Sequence, residues 1–270
     1  MSPAAQGEYP LATDPRELER LRFQHEVWGP TTRAFLARTG VGAGARVVDL
    51  GCGPGLVTLE LAELVGPRGS VLAVDESPSW TAHVEREASP LRQVAVRRAR
   101  IEELELEPES CDLVFARWVF SFLADPVSVV RRLARALKHG GLLAIEDYNH
   151  EGVSLFPPSE GFRAAVRATR ALYARSGGDA FVAGRSAAIF AAAGLETVSI
   201  VPNALCGGPS SPAFRWAGLF FPHYSARMEE LGLLSREERE RFLREWAERE
   251  ADPTALFFSP LVVDALARRV

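Results

Sequence analysis

The alternation of apolar and polar positions changes character twice along the 270-residue chain. Residues 1–13 show no hydrophobic period. Asp14-Pro15-Arg16-Glu17 then places an N-cap, a proline at the first helical position and an acid at the third, so a helix is predicted to begin there. Its inner side carries Leu18, Leu21 and Trp28, and Gly29-Pro30 is expected to end it, with a second helix over 31–39 closing at Gly40. From Arg46 onward, short apolar runs alternate with helical periodicity. Strands are predicted at 46–50, 70–74, 93–98, 112–116 and 142–147, and helices at 56–65, 78–88 and 126–138. Regular strand–helix alternation implies parallel strands joined by right-handed crossovers, which is a doubly wound α/β sheet whose ligands sit beyond the carboxyl ends of its strands.

After Asn149 the pattern loosens. A loop with Pro157-Pro158 is expected over 149–161, followed by helices at 162–176 and 185–193. A sixth strand is expected at 197–201 and a seventh at 255–258. Ser235 and Glu238 form a capping box, and Glu237/Arg241, Glu240/Arg244 and Glu245/Arg249 are i,i+4 pairs on the outer face of the helix that follows. Its apolar members Phe242, Leu243 and Trp246 face inward. Phe214, Trp216, Phe220, Phe221, His223 and Tyr224 crowd 205–224, which reads either as packing within a lid or as the wall of a pocket for a flat, greasy molecule. The reading is one domain of seven mostly parallel strands: a helical cap (1–40), a nucleotide-type core (41–148), lid insertions around strand six (149–254) and a final strand segment (255–270).

Composition narrows the function classes. Hydrophobic residues at 47% and charged residues at 24% give an ordinary globular core. A net charge of −4 supplies no field to gather a polyanion, so nucleic acid is not the expected partner. Cys52, Cys111 and Cys206 have neither disulfide parity nor metal-ligand spacing, and a reducing cytoplasm is the simplest compartment. No apolar run of membrane-spanning length and no basic leader are apparent, so no membrane partner is expected, and the oligomeric state is open.

The chemistry concentrates in Val47-Val48-Asp49-Leu50-Gly51-Cys52-Gly53-Pro54-Gly55, a buried strand running into a glycine turn ahead of a helix. Such a turn lets the backbone approach a ligand closely, at the positive end of the helix. Asp75 closes the second strand 24 residues after Gly51, where a carboxylate can accept hydrogen bonds from both hydroxyls of a ribose. A nicotinamide-binding loop would carry a third glycine where this chain has Leu56.

The segment from Arg46 to about Asp147 resembles the class I S-adenosylmethionine (SAM)-dependent methyltransferases, in particular the broad ubiquinone/menaquinone methyltransferase-like group. Asp49–Gly55 is similar to their first motif, Asp75 to their second-strand acid, and Leu137-Lys138-His139-Gly140-Gly141 to the turn before their fifth strand. Glu19–Gln24 resembles a helix that covers the cofactor in a bacterial subset. The resemblance implies SAM as cofactor, held by Asp49, Gly51, Cys52, Gly53, Asp75 and Glu76. Gln24 would lie over it, and Arg117 is either a wall of the pocket or an ion-pair partner. Relatives commonly have Gly-Asp where Ala99-Arg100 stands, so the adenine contact is assigned to Ile101 and Glu102.

Ala116-Arg117-Trp118-Val119 lacks the motif of adenine- and glutamine-methylating relatives, and the acids of the metal-dependent group are displaced, so no metal is predicted. Residues 146–151 leave the fifth strand where the methyl group should lie. Tyr148 and Asn149, with Phe220, His223 and Tyr224 from the aromatic segment, are the candidate acceptor-binding residues. His150 is the candidate general base for an acceptor that must lose a proton. His25 reads as structural. The expectation is methyl transfer to a small organic molecule, first of all O-methylation of a secondary metabolite. The alternatives are C- or N-methylation of a quinone-like or other small acceptor, a non-catalytic SAM-binding protein, or an NAD(P)-dependent oxidoreductase.

Overall fold

A computed structural model describes residues 15–270. Asp14, expected to cap the first helix, lies outside the described residues.

The core is a seven-stranded sheet. Five parallel strands carry its first half: β1 (Arg46–Leu50), β2 (Ser70–Asp75), β3 (Val94–Arg98), β4 (Cys111–Arg117) and β5 (Leu137–Asn149). With β7 (Leu195–Asn203) and β10 (Leu261–Arg269) the order is β3-β2-β1-β4-β5-β10-β7, and β10 runs antiparallel to both its neighbours. The helices α2 (Leu56–Val65), α3 (Pro78–Glu87) and α4 (Pro126–Ala136) are crossovers, two of them opened by proline behind a side-chain cap at Ser77 or Asp125. Strand β1 is buried from Val47 to Leu50, as expected of a parallel strand covered on both faces. One face packs Phe35, Leu61 and Val65 against Phe115, and the other packs Val130, Leu133 and Phe190 against Val114 and Leu143.

The seventh strand of the sheet is β10, not the predicted 255–258. Leu256–Phe258 forms β9 in a separate three-stranded sheet with β6 (Ser154–Phe156) and β8 (Cys206–Gly207). The true strand, LVVDALARR, lacks a two-residue alternation because it is buried on both faces from Val262 to Ala267, and its Ala, Leu and Arg residues favour helices.

The break expected at Gly29-Pro30 is also absent: α1 runs unbroken from Pro15 to Thr39. Proline costs a helix one hydrogen bond, and here burial on both sides of it compensates, with Trp28, Thr32 and Phe35 fully enclosed. The aromatic segment is largely helical. After α5 (Glu160–Arg175) and α6 (Ser186–Ala192), α7 (Pro212–Glu230) is capped by the Ser211 side chain and passes through Pro222, and α8 (Arg236–Ala251) follows its predicted capping box. Phe162, Phe214, Phe221, Phe242, Trp246 and Phe257 form a second core between α5, α7, α8 and the small sheet. That roof stands over the carboxyl ends of β1, β4 and β5.

Candidate active site

The turn after β1 lies against β2 and the loop after β4. Gly51 has φ +67°, and a Cβ there would stand 2.5 Å from a methyl of Val119, so glycine is required on both counts. Gly55, φ +79°, sits directly before α2, with Val84 behind it. Asp75 holds the turn: one carboxylate oxygen accepts from the Gly53 N–H at 2.9 Å and the other from the Ser77 N–H at 2.8 Å. Burial raises its pKa against those stabilising N–H groups. Asp49 is buried deeper; it accepts from the Thr58 hydroxyl at 2.6 Å, and burial pushes its pKa up to about 6.

A cavity of about 260 Å³ opens beyond these strand ends. One end is lined by Asp49, Gly51, Cys52, Gly53, Asp75, Glu76, Ile101 and Glu102, the residues nominated from the sequence, with Gln24 and Arg117 bordering the same space. Burial raises the Cys52 thiol pKa, so it stays protonated. The other end is aromatic. Trp118, Phe122, Tyr148, Tyr173, Trp216 and Phe220 surround it, and His150 closes it. Trp118 adopts φ +55°, stacks on Tyr148 with ring centroids 5.6 Å apart and takes the Arg117 guanidinium on its face at 4.6 Å.

His150 is enclosed between the edges of Tyr148 and Tyr173, and its Nδ1 has no hydrogen-bond partner. Burial, with a contribution from Arg170, pushes its pKa down to about 3, so the imidazole is neutral. Three other candidates stand elsewhere. The Asn149 side chain accepts from the Glu151 N–H outside the cavity, His223 is exposed, and Tyr224 is buried behind the wall with its hydroxyl donating to Glu17 at 2.9 Å.

Sequence reasoning missed the polar roof. Arg20 lines the cavity, donates twice to Glu17 at 2.7 and 2.8 Å and once to Gln24 at 2.8 Å, while Trp216 Nε1 donates to the same Gln24 oxygen at 3.0 Å. The four polar groups clasp α1 to α7. The spacing 17, 20, 24 places them on one helix face, which was the available signal. Tyr173 and Phe122 gave no signal, because only tertiary folding brings them to the site. His25 bridges Arg117 at 3.1 Å and Glu60 at 3.3 Å.

Asp147 is structural. A single oxygen accepts from the N–H groups of Val119, Phe120 and Ser121 at 2.7–3.2 Å and fixes the loop after β4, while burial raises its pKa to about 6. Among the described residues no group of three or more His, Cys, Asp or Glu gathers as metal ligands, and no helix is long and apolar enough to cross a membrane.

Residues 48–145 match the family described as methyltransferase domain. Over 126 residues the chain is 41% identical to trans-aconitate 2-methyltransferase of Methylobacterium nodulans, covering 47% of this chain and 46% of that protein. It is 32% identical over 125 residues to aklanonic acid methyltransferase of Streptomyces sp. strain C5, covering 46% and 57% respectively. The chain thus spans about half the length of the curated relatives it matches. A putative methyltransferase of Bacillus halodurans shares the fold over 88% of this chain and 97% of its own, with a TM-score of 0.61 at 18% identity. Over residues 48–145 the chain is thus similar to methyltransferase domains.

Proposed function

We propose that the chain transfers a methyl group from SAM to an oxygen of a small, flat organic acid. One observation carries this reading: a single cavity joins a glycine turn and ribose-type carboxylate at one end to an aromatic chamber bearing Arg20 and His150 at the other. The residues present fit the cofactor. Gly51 leaves room for close backbone approach, and each Asp75 oxygen already held by one N–H retains a lone pair for a ribose hydroxyl. Asp49 places a carboxylate where an ammonium would be met, and Leu56 stands where a pyrophosphate-binding loop would need its third glycine.

When bound, SAM supplies an electrophilic methyl on a sulfonium, and the chain's own residues align the acceptor and exclude water. Trp118, Tyr148 and Trp216 offer flat surfaces that fix the plane of an acceptor. Arg20, with two N–H groups beyond those bound to Glu17 and Gln24, is a donor for its carboxylate. His150, the candidate base, is neutral and has little affinity for a proton in the free protein. That suits an acceptor which is already anionic and needs a neutral hydrogen-bonding group beside it. Relatives named for trans-aconitate, aklanonic acid and malonyl-acyl carrier protein, the last an O-methyltransferase, favour acids as the acceptor class.

The test combines titration calorimetry with mass spectrometry. S-adenosylhomocysteine should bind and NAD(H) should not, and methyl-labelled SAM should yield labelled esters from a panel of aromatic and unsaturated acids. Binding of NAD(H) without S-adenosylhomocysteine would overturn the reading. Label appearing only on amines or carbon acids would move the acceptor to those classes.

A further inference from the structure

Three adjacent strands bring ionisable residues into one row beneath the cavity. Arg117 of β4 stands opposite Glu146 of β5, and Glu146 stands opposite Asp264 of β10. Directly paired residues project to the same face of a sheet, so the three side chains form a line. Glu146 and Asp264 have no solvent exposure, and each has one carboxylate oxygen, Oε2 and Oδ1, buried without a hydrogen-bond partner. The remaining oxygens are used: Thr32 donates to Glu146 Oε1 at 3.0 Å, and Arg38 donates to Asp264 Oδ2.

We propose that Glu146 and Asp264 share one buried proton, and that in this state the pair positions Arg117 at the cavity wall through Thr32. Two ionised carboxylates side by side, each with an unsatisfied oxygen, would carry both a repulsion and a double desolvation cost. One proton on Glu146 Oε2, donated to Asp264 Oδ1, satisfies both oxygens.

The surrounding charges agree. Facing the pair are Arg38 from α1 and, through Thr32, Arg117 from β4; Asp49 of β1 and Glu60 of α2, the latter held by Arg33 at 2.7 Å, act on Arg117. His25 meets Arg117 through Nδ1, so it acts as an acceptor, and the Asn203 amide of β7, like Arg38, favours the ionised form of Asp264, which leaves the proton to Glu146. Asp147, next along β5, is answered by backbone N–H groups. Arg33, Arg38 and Arg117 then face Asp49, Glu60, Asp147 and the pair, so the surround is already net negative when the pair bears one charge. A doubly ionised pair would add a further buried negative charge to that excess. Burial pushes Glu146 up to about 8, with Asp264 adding to the rise and Arg117 opposing it.

The consequence is a positioning role. The Thr32 hydroxyl donates toward Glu146 and accepts from Arg117 Nη1 at 3.0 Å, so Glu146 orients Thr32 and Thr32 orients the guanidinium. Loss of the proton would draw Arg117 toward the pair and away from the cavity. The effect on ligand affinity rests on the methyltransferase reading above; the shared proton does not.

Infrared spectroscopy of the full chain tests the proton directly. A protonated-carboxyl band should be present at pH 7, disappear as pH rises through about 8, and be missing in Glu146→Gln. Glu146→Gln should keep the wild-type thermal midpoint, because its amide donates to Asp264 and its carbonyl still receives Thr32. S-adenosylhomocysteine affinity should weaken several-fold in the wild type above pH 8, stay flat in Glu146→Gln and fall roughly tenfold in Glu146→Ala. Absence of the band at pH 7 overturns the shared proton. A pH-dependent affinity unchanged in Glu146→Gln overturns the positioning role. If S-adenosylhomocysteine fails to bind at any pH, the methyltransferase reading falls while the band still decides the proton.

Discussion

At the scale of single residues, the turn after β1 and the loop after β4 depend on carboxylates that accept backbone N–H groups. Asp75→Ala removes the clamp on the glycine turn and two acceptors for a ribose, so S-adenosylhomocysteine should bind about 1.5 to 3 kcal/mol more weakly by calorimetry. An unchanged dissociation constant would remove Asp75 from the site. Asp147→Ala acts on folding instead. It leaves the N–H groups of Val119, Phe120 and Ser121 buried with no acceptor, a cost of about 3 kcal/mol or more, visible as a lower denaturant midpoint. Asp49, Gly51, Gly53 and Asp75 were legible in the sequence because a turn needing positive φ and an acid closing the next strand are local requirements. Asn149 was nominated from its place after the fifth strand, and His223 and Tyr224 from the aromatic crowding around them; only tertiary folding sets them off the cavity, with Asn149 bonded to the Glu151 N–H, His223 exposed and Tyr224 bonded to Glu17.

Among the elements, the contact between α1 and α7 governs the roof. Gln24 accepts from both Arg20 and Trp216, so Gln24→Ala leaves two buried donors unsatisfied and should loosen the clasp. Hydrogen exchange should then speed up over residues 16–28 and 212–224 while the sheet stays protected; equal protection in the variant would show the clasp to be dispensable. Phe220→Ala, which trims the chamber wall itself, should impair acceptor use while sparing S-adenosylhomocysteine affinity. Crossovers were read from the sequence nearly to the residue, since each is punctuated by a proline, a cap or a glycine. Pro30 misled for the opposite reason: it lies inside a helix held by tertiary burial, which a local rule does not see.

For the molecule as a whole, the buried carboxyls set the pH dependence of stability. Glu146 is raised from an ordinary value near 4.5 to about 8, so between those values the folded chain holds a proton that the unfolded chain has released. Stability should therefore fall as pH rises across that window and level off above about 8, by up to about 5 kcal/mol from this residue. Asp49 and Asp147, raised to about 6, steepen its lower part. Chemical denaturation at pH 5, 7 and 9 checks the trend, and Glu146→Gln should flatten it. The doubly wound class was legible from the alternation of elements. The row of Arg117, Glu146 and Asp264 was not, because it exists only once β10 inserts beside β5.

That insertion also bears on how the protein is made. Strand β10 is the last of the sheet to emerge from the ribosome, yet it belongs between β5 and β7, which are synthesised well before it. Until Arg269 has appeared, β5 and β7 each present an open edge with unpaired N–H and C=O groups, and the nascent chain is sticky along the very line where the ionisable row will close. Slowing translation between residues 204 and 261 should thus increase aggregation and chaperone association, whereas slowing it before residue 137, when neither edge exists, should have little effect. The final nine-residue strand acts as the seam that turns an adhesive intermediate into a finished sheet.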